Sequence, residues 1–274
     1  MKIGFTTLGT PDWDLNTIID RAADYGFDGV DFRGIGDEID ITLLRDFSED
    51  LERTVASIKG AGLQAGISTS LRICDASRRD DNIAEARRTI PVAKALGMGV
   101  VRVFGGGNSK DNSKEDLAAV GGEIMASVLK INGAAELEWV LETHDEWISS
   151  ADCKLVLDRV PAKNFGILWD IGHTSRIGDE EPRISWDRIG DRVKHLHVKD
   201  AVYDITHPHA MPDGWRYVPP GTGELPLAAA ISLVRSKNYE GWIIFEHEKR
   251  WHRELPEPEE ALPGFMRWIQ NVLN

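Results

Sequence analysis

Short apolar runs alternate with longer amphipathic stretches along the chain, and the alternation repeats eight times. The runs KIGFTT (2–7), GVDFR (29–33), QAGIST (64–69), VVRVFG (100–105), LEWVLET (137–143), FGILWD (165–170), VKHLHV (193–198) and GWIIFE (241–246) have the length of buried strands. Between them the pattern predicts helices near 14–25, 43–61, 79–96, 115–131, 150–160, 186–191, 225–238 and 260–273. The punctuation agrees: Asp14 and Ser150 stand where N-caps belong, and Gly26 and Gly62 where the first two helices end. Eight such units predict an α/β protein folded as one closed (β/α)8 barrel domain over 1–274. An open doubly wound sheet is the alternative, but it usually has fewer strands and a Gly-rich turn after the first, and TTLGTPDWD has no G-x-G-x-x-G. FGGGN (104–108) lacks that spacing too and reads as a substrate loop or a plain turn.

Composition narrows the function. A formal charge of -13 disfavours binding to nucleic acid or to an acidic membrane surface, which leaves small-molecule chemistry. Only Cys74 and Cys153 are present, far apart, so neither a disulfide framework nor a thiolate metal site is expected. The opening MKIGFTT enters a strand without a leader pattern, and no run of 18 apolar residues occurs, so the expectation is a cytoplasmic protein. Apolar faces on the outer helices are compatible with a homo-oligomer but also with ordinary core packing.

The polar residues then stand out by position. Glu142 ends the fifth predicted strand, Asp170 the sixth and Glu246 the eighth, and His197 lies near the end of the seventh in KHLHVKD (194–200). In a parallel barrel these ends share one mouth, so the four side chains can converge. A lone strand-end carboxylate is more often a cap or a salt-bridge partner. Four ligand-type residues on four consecutive strands would concentrate buried charge at high cost without a cation, and the mixed O/N set suits one divalent ion: Mn2+ foremost, with Co2+, Mg2+ or Zn2+ also compatible. His195 points the same way one layer deeper, as a core or supporting residue. His173, three residues after Asp170, can reach the ion or a substrate oxygen; Lys199 continues the His197 face toward the mouth and can hold a substrate hydroxyl, carboxylate or phosphate; Asp200 begins the loop beyond. The segment 200–224, rich in Pro, Gly and His, is the least regular part and reads as the loop after strand seven.

LETHD (141–145), WDIGH (169–173), HLHVKD (195–200), GTGELPL (221–227) and IIFEHE (243–248), in that order, resemble the xylose isomerase-like TIM barrels grouped as sugar phosphate isomerases and epimerases. The resemblance covers essentially the whole chain and is densest in its second half. It implies that Glu142, Asp170, His197 and Glu246 bind one divalent metal, that the two glutamates also act as acid and base, and that His173 touches the substrate. The chemistry suits such a site, because an ion can polarise a ketone, chelate the neighbouring hydroxyl and stabilise an enediolate while a carboxylate takes the proton from the carbon between them. Return of the proton to the neighbouring carbon makes an isomerase, return to the other face an epimerase, and loss of a β-hydroxyl a dehydratase or lyase. Ketose 3-epimerases of the group usually carry a glutamate and an arginine where this chain has Ile148 and Tyr203. That departure keeps inosose dehydratases and related keto-sugar lyases in view.

The superfamily also includes endonuclease IV, a DNA repair enzyme with a trinuclear zinc cluster. GISTS (66–70) and RVFGGG (102–107) contain no histidine for such a cluster, and the acidic balance opposes phosphate-backbone binding. A non-catalytic sugar or metal binder on the same barrel is a third reading. Trp13, Arg33, Phe104 and Trp215 are candidate walls for a sugar, Glu224 a candidate substrate contact or helix cap, and Lys249 and Arg250 candidate phosphate contacts in an otherwise solvated run. The expectation is a divalent-metal-dependent isomerase or epimerase acting on a small-molecule carbohydrate, with a keto-sugar or inosose dehydratase as the alternative.

Overall fold

The computed structural model describes residues 1–274. Its frame is eight parallel strands, β1 (Lys2–Thr6), β2 (Gly29–Phe32), β3 (Gln64–Arg72), β4 (Gly97–Phe104), β5 (Glu138–Glu142), β6 (Phe165–Asp170), β7 (Val193–Val198) and β10 (Trp242–Phe245). They pair in chain order, and β10 closes the ring between β7 and β1, giving the (β/α)8 TIM barrel expected from the alternation. Around it lie α1 (Leu15–Asp24), α2 (Leu51–Gly60), α3 (Arg79–Leu96), α4 (Lys114–Val128), α5 (Ser150–Arg159), α6 (Ile171–Arg176), α7 (Pro182–Ile189), α8 (Leu227–Ser236) and α9 (Pro258–Leu273). No helix is long and apolar enough to cross a membrane.

The strands read as near-continuous apolar runs because both faces are covered. Outward positions pack on the helices: Phe245 stacks on Phe265 with ring centroids 4.6 Å apart, and Phe5 meets Phe27 at 4.8 Å. Inward positions change character with height. Val100, Val140 and Leu168 form a small apolar cluster inside the barrel, and two residues further along the same three strands stand Arg102, Glu142 and Asp170. A strand period of two therefore stacks a polar layer directly on an apolar one, at the C-terminal end of the ring.

Several local expectations hold and others shift. Asp14 caps α1 by accepting a hydrogen bond from the Thr17 amide at 2.8 Å, and Gly26 and Gly62 take φ of +80° and +76° beyond α1 and α2. At α5 the cap is Ser149, whose hydroxyl accepts from the Ala151 amide at 3.2 Å; Ser150 is the first helical residue. The second helix is shorter than its periodicity, because Ile41–Leu43 and Arg45–Phe47 form two separate 3-10 turns that bury Phe47 against Phe32. The sixth helix of the ring starts earlier than expected, at Pro182, and is preceded by α6, which leaves β6 with no intervening loop. Segment 200–224 is not irregular throughout: β8 (Asp200–Tyr203) and β9 (Trp215–Val218) pair as an antiparallel hairpin. Asp200 anchors it, its carboxylate accepting from the amides of Gly221 at 2.8 Å, Gly223 at 3.0 Å and Leu225 at 3.3 Å.

The glycine run after β4 is a packing turn. Trp147 is fully buried, and its indole N–H donates to the Gly106 carbonyl at 2.8 Å. A Cβ on Gly105 would overlap the Trp147 ring. Gly105→Ala is expected to destabilise the fold by about 1–3 kcal/mol through overpacking. Urea unfolding followed by tryptophan fluorescence measures this, and an unchanged midpoint would contradict the packing role.

Candidate active site

Glu142 ends β5, Asp170 ends β6, His197 lies in β7 and Glu246 follows β10. All four are buried, and one donor atom from each lies within 4.8 Å of the others. His197 Nδ1 is 3.2 Å from Glu142 Oε1 and 3.4 Å from Glu246 Oε1. Each glutamate thus turns one oxygen toward the imidazole, and its other oxygen faces a cation. Arg102 Nε is 3.2 Å from Glu142 Oε2, while Lys199 Nζ bonds Glu246 Oε2 and lies 2.9 Å from Asp170 Oδ2 and 2.8 Å from Glu248 Oε1.

These pairings set the protonation states. Burial drives the Glu142 carboxyl up, but the Arg102 charge and the His197 hydrogen bond outweigh it and hold it well below the carboxylate range. At Glu246 burial is likewise outweighed by Lys199 and His197. Asp170 goes the other way: burial lifts it to about 7, Lys199 opposing and the charges of Glu246 and Glu142 adding to the rise. His197 is raised well above its ordinary value against the pull of burial, because Glu246, Asp31 and Glu142 all demand positive charge at the ring. Lys199 is held protonated, its burial overcome by Asp170, Glu246 and Glu248.

A divalent ion fits this donor set. Glu142 Oε2 and Asp170 Oδ2 are buried without a hydrogen-bond partner, Arg102 and Lys199 sitting at angles that make ion pairs but no hydrogen bonds. Three carboxylates and one imidazole supply hard oxygen and borderline nitrogen, as expected for Mn2+, Mg2+, Co2+ or Zn2+.

The α6 turn places His173 beside the cluster. The Asp170 carboxylate accepts from the His173 amide at 2.8 Å, so one residue both lines the cluster and caps the helix that carries the histidine. His173 Nδ1 lies 3.1 Å from the Thr143 carbonyl, which can only accept, so the proton sits on Nδ1 and Nε2 keeps its lone pair. Burial and the charge of Lys199 hold the ring neutral. His144 packs between Phe104 at 4.8 Å and His173 at 4.7 Å, as a second imidazole of the wall.

The other expected wall residues scatter. Arg33 is directed inward, donating to Ser70 Oγ at 3.0 Å and lying 5.8 Å from the Phe104 ring. Trp13 donates to Glu259 Oε1 at 3.2 Å and lines a hollow with Arg250 and Trp251, which none of the four clustered residues lines. Glu224 and Trp215 line a further hollow with Ser175 and Pro226, again without a clustered residue. Lys249 is buried on the Arg253 and Leu255 carbonyls and on Glu257, and Arg250 donates to the Gly36 carbonyl at 2.7 Å, so both serve loop structure. Arg102, Glu248, His144 and Asp31 enter the site region without having been singled out from sequence. For Arg102 and Asp31 the signal was a charge interrupting an apolar strand at the inward parity.

Comparison with known proteins agrees with this architecture. The family model for the xylose isomerase-like TIM barrel matches residues 19–272. Inosose dehydratase of Clostridium tetani is 28% identical over 99 residues, and that of Bacillus thuringiensis 26% over 110. The first match spans 33% of this chain and 33% of the relative, the second 37% and 36%, so the matched stretch is about a third of their length. Among solved structures, the probable 3-DHS dehydratase AsbF of Bacillus anthracis superposes with a TM-score of 0.78 at 20% identity, covering 99% of both chains. The 3-keto-D-glucoside 4-epimerase YcjR of E. coli gives 0.76 at 18%, also over 99% of both. D-psicose 3-epimerase of Clostridium cellulolyticum gives 0.75 at 15%, over 100% of this chain and 98% of that one. At these identities the structural matches establish the shared fold alone, whereas the family model accounts for nearly the whole sequence: the chain belongs to the xylose isomerase-like TIM-barrel family.

Proposed function

We propose that this protein is a divalent-metal-dependent isomerase or epimerase of a keto- or aldo-sugar or a sugar derivative, working by proton abstraction next to a carbonyl. The observation that carries the reading is the pair of buried glutamates flanking His197, each with one oxygen toward the imidazole and the other on its own cation. Glu142, Asp170, His197 and Glu246 would hold the ion, which supplies Lewis-acid polarisation of the carbonyl and stabilises enediolate charge.

The chain's own groups divide the remaining work. Arg102 keeps Glu142 ionised, and Lys199 does the same for Glu246, so both begin as bases although they are buried. One carboxylate takes the proton from the carbon beside the carbonyl; the other serves the opposite face. The Nε2 lone pair of His173 is free to accept a substrate hydroxyl, and its neutrality in the presence of Lys199 suits that task. Lys199 bridges Asp170, Glu246 and Glu248 and fixes their spacing. Arg33 and the ring of Phe104 border the inward face and suit the polar and C–H surfaces of a sugar.

A keto-sugar or inosose dehydratase is the second reading, and two observations favour it. Inosose dehydratases are among the curated relatives, matched over about a third of the chain, and this chain has Ile148 and the exposed Tyr203 in place of the polar pair usual in ketose 3-epimerases. Both readings share the enolisation step and differ in where the electrons go next.

In D2O, the Mn2+-loaded protein offered ketoses, inososes and 3-keto-glycosides is expected to incorporate deuterium at the carbon beside the carbonyl of one of them, read by NMR. Glu246→Gln should abolish that exchange, and the product decides between isomerase, epimerase and dehydratase. Stoichiometric Mn2+ with no exchange across the panel would count against enolisation. Separately, Arg102→Leu should cost about 3–5 kcal/mol by stranding the buried Glu142 charge. Adding Glu142→Gln should recover much of that loss in urea unfolding, because a neutral amide needs no guanidinium. Strict additivity of the two changes would mean that the ion pair does not hold Glu142.

A further inference from the structure

Beneath the four clustered residues the barrel holds polar groups that the proposed reaction does not use. Asp31 of β2, Ser68 of β3 and His195 of β7 are buried, at a depth where branched apolar side chains dominate in such barrels. The Ser68 hydroxyl donates to Asp31 Oδ2 at 2.9 Å, and that same oxygen is 3.8 Å from His197 Nε2. Asp31 Oδ1 and His197 Nε2 have no hydrogen-bond partner. Leaving buried polar atoms unpaired costs about 1–3 kcal/mol each, so the placement of the unpartnered His197 Nε2 beside the Asp31 carboxylate calls for a reason.

The two ring nitrogens of His197 face different surroundings. Nδ1 looks toward Glu142 and Glu246, whereas Nε2 looks toward Asp31. An imidazole that offers its Nδ1 lone pair to an ion keeps its proton on Nε2, and the group accepting that proton fixes the ring's tautomer and orientation. Asp31 is the carboxylate in place to accept it. At 3.8 Å the pair stands beyond hydrogen-bond length, so contact requires an approach of about 1 Å. On the neighbouring strand its register partner is Gly66, where a Cβ would crowd Met98 Sδ at 2.6 Å and make ordinary contact with Asp31 Oδ1 at 3.6 Å.

We propose that Asp31 is a positioning residue: its carboxylate, tethered by Ser68, accepts the Nε2 proton of His197 and holds the Nδ1 lone pair toward Glu142 and Glu246. This rests on the metal reading above. The donors of Asp31, His195 and His197 also lie within 4.8 Å of one another, so a second ion in that lower group is the competing assignment.

Zn2+, which is diamagnetic, serves as the probe. Zn2+ affinity and stoichiometry are measured by competition titration, and the His197 ring by long-range 1H–15N NMR of the loaded protein, the resonance being assigned by its loss in His197→Gln. Asp31→Ala is expected to weaken Zn2+ binding about 10–100-fold and to shift the Nε2 proton upfield as its hydrogen bond is lost. Asp31→Asn, which retains a weaker acceptor, should fall between Ala and wild type in both readouts, and it decides the matter if the Ala variant does not fold. A packing role alone would lower unfolding stability and leave both readouts at their wild-type values, which would overturn the assignment. So would two ions per chain falling to one in Asp31→Ala, since the lower group would then be a ligand set. Wild type that binds no Zn2+ would sink the metal reading itself, whereas normal wild-type binding with indifferent Asp31 variants would sink only the role of Asp31.

Discussion

Burial of several carboxylates at one end of a closed parallel barrel is the constraint on which the rest of this molecule turns. Glu142, Asp170, Glu246 and Glu248 are all withdrawn from water, and an unpaired buried carboxylate costs several kcal/mol. The compensation comes from Arg102 and Lys199, each on an inward position of its own strand or just beyond it. Arg102 is in turn held by the Thr69 carbonyl at 2.9 Å and lies 3.8 Å from the centroid of the Phe104 ring. The cations do more than neutralise. By taking one oxygen of each glutamate, they leave the other turned toward His197, so charge balance and donor geometry have a common origin.

The ring itself was legible because a parallel strand covered on both faces must be apolar, and an amphipathic helix must follow it. Departures occur where local chemistry competes with that rule. Segment 200–224 reads as irregular because its Pro and Gly content masks two four-residue strands, and the Asp200 carboxylate, which four amides share, organises their return. The turn α6 escaped notice because WDIGH reads as a strand end; Asp170 simultaneously finishes β6 and caps the helix. At α5 two adjacent serines offer the same cap, and periodicity alone does not choose between Ser149 and Ser150.

Legibility of the site follows the same division. Residues at C-terminal strand ends could be placed from strand boundaries, and Glu142, Asp170, His197, Lys199 and Glu246 do converge. Loop residues could not be placed this way, since a loop's course depends on contacts remote in sequence: Trp13 is drawn to Glu259 and Lys249 to Glu257, both supplied from the end of the chain. Arg102 and Asp31 were missed for the opposite reason. Both lie inside strands, where a charge in VVRVFG or GVDFR is easily discounted as an outward exception, although counting by two from Val100 already directs Arg102 into the barrel beside Glu142.

The division between strand and loop also bears on specificity. The proposed proton abstraction depends on groups fixed by strand register, which backbone hydrogen bonding makes rigid. The product depends on what the substrate's far end meets, and those contacts come from segments after the strands. Ile148 lies beyond β5, with its Cγ2 packed toward Gly178, and Tyr203 ends β8 with its ring edge-on to Trp215. Neither side chain carries a charge. On the proposed reading one barrel layer can serve isomerisation, epimerisation or dehydration, and residues outside that layer decide among them, because the shared fold by itself names neither the reaction nor the substrate.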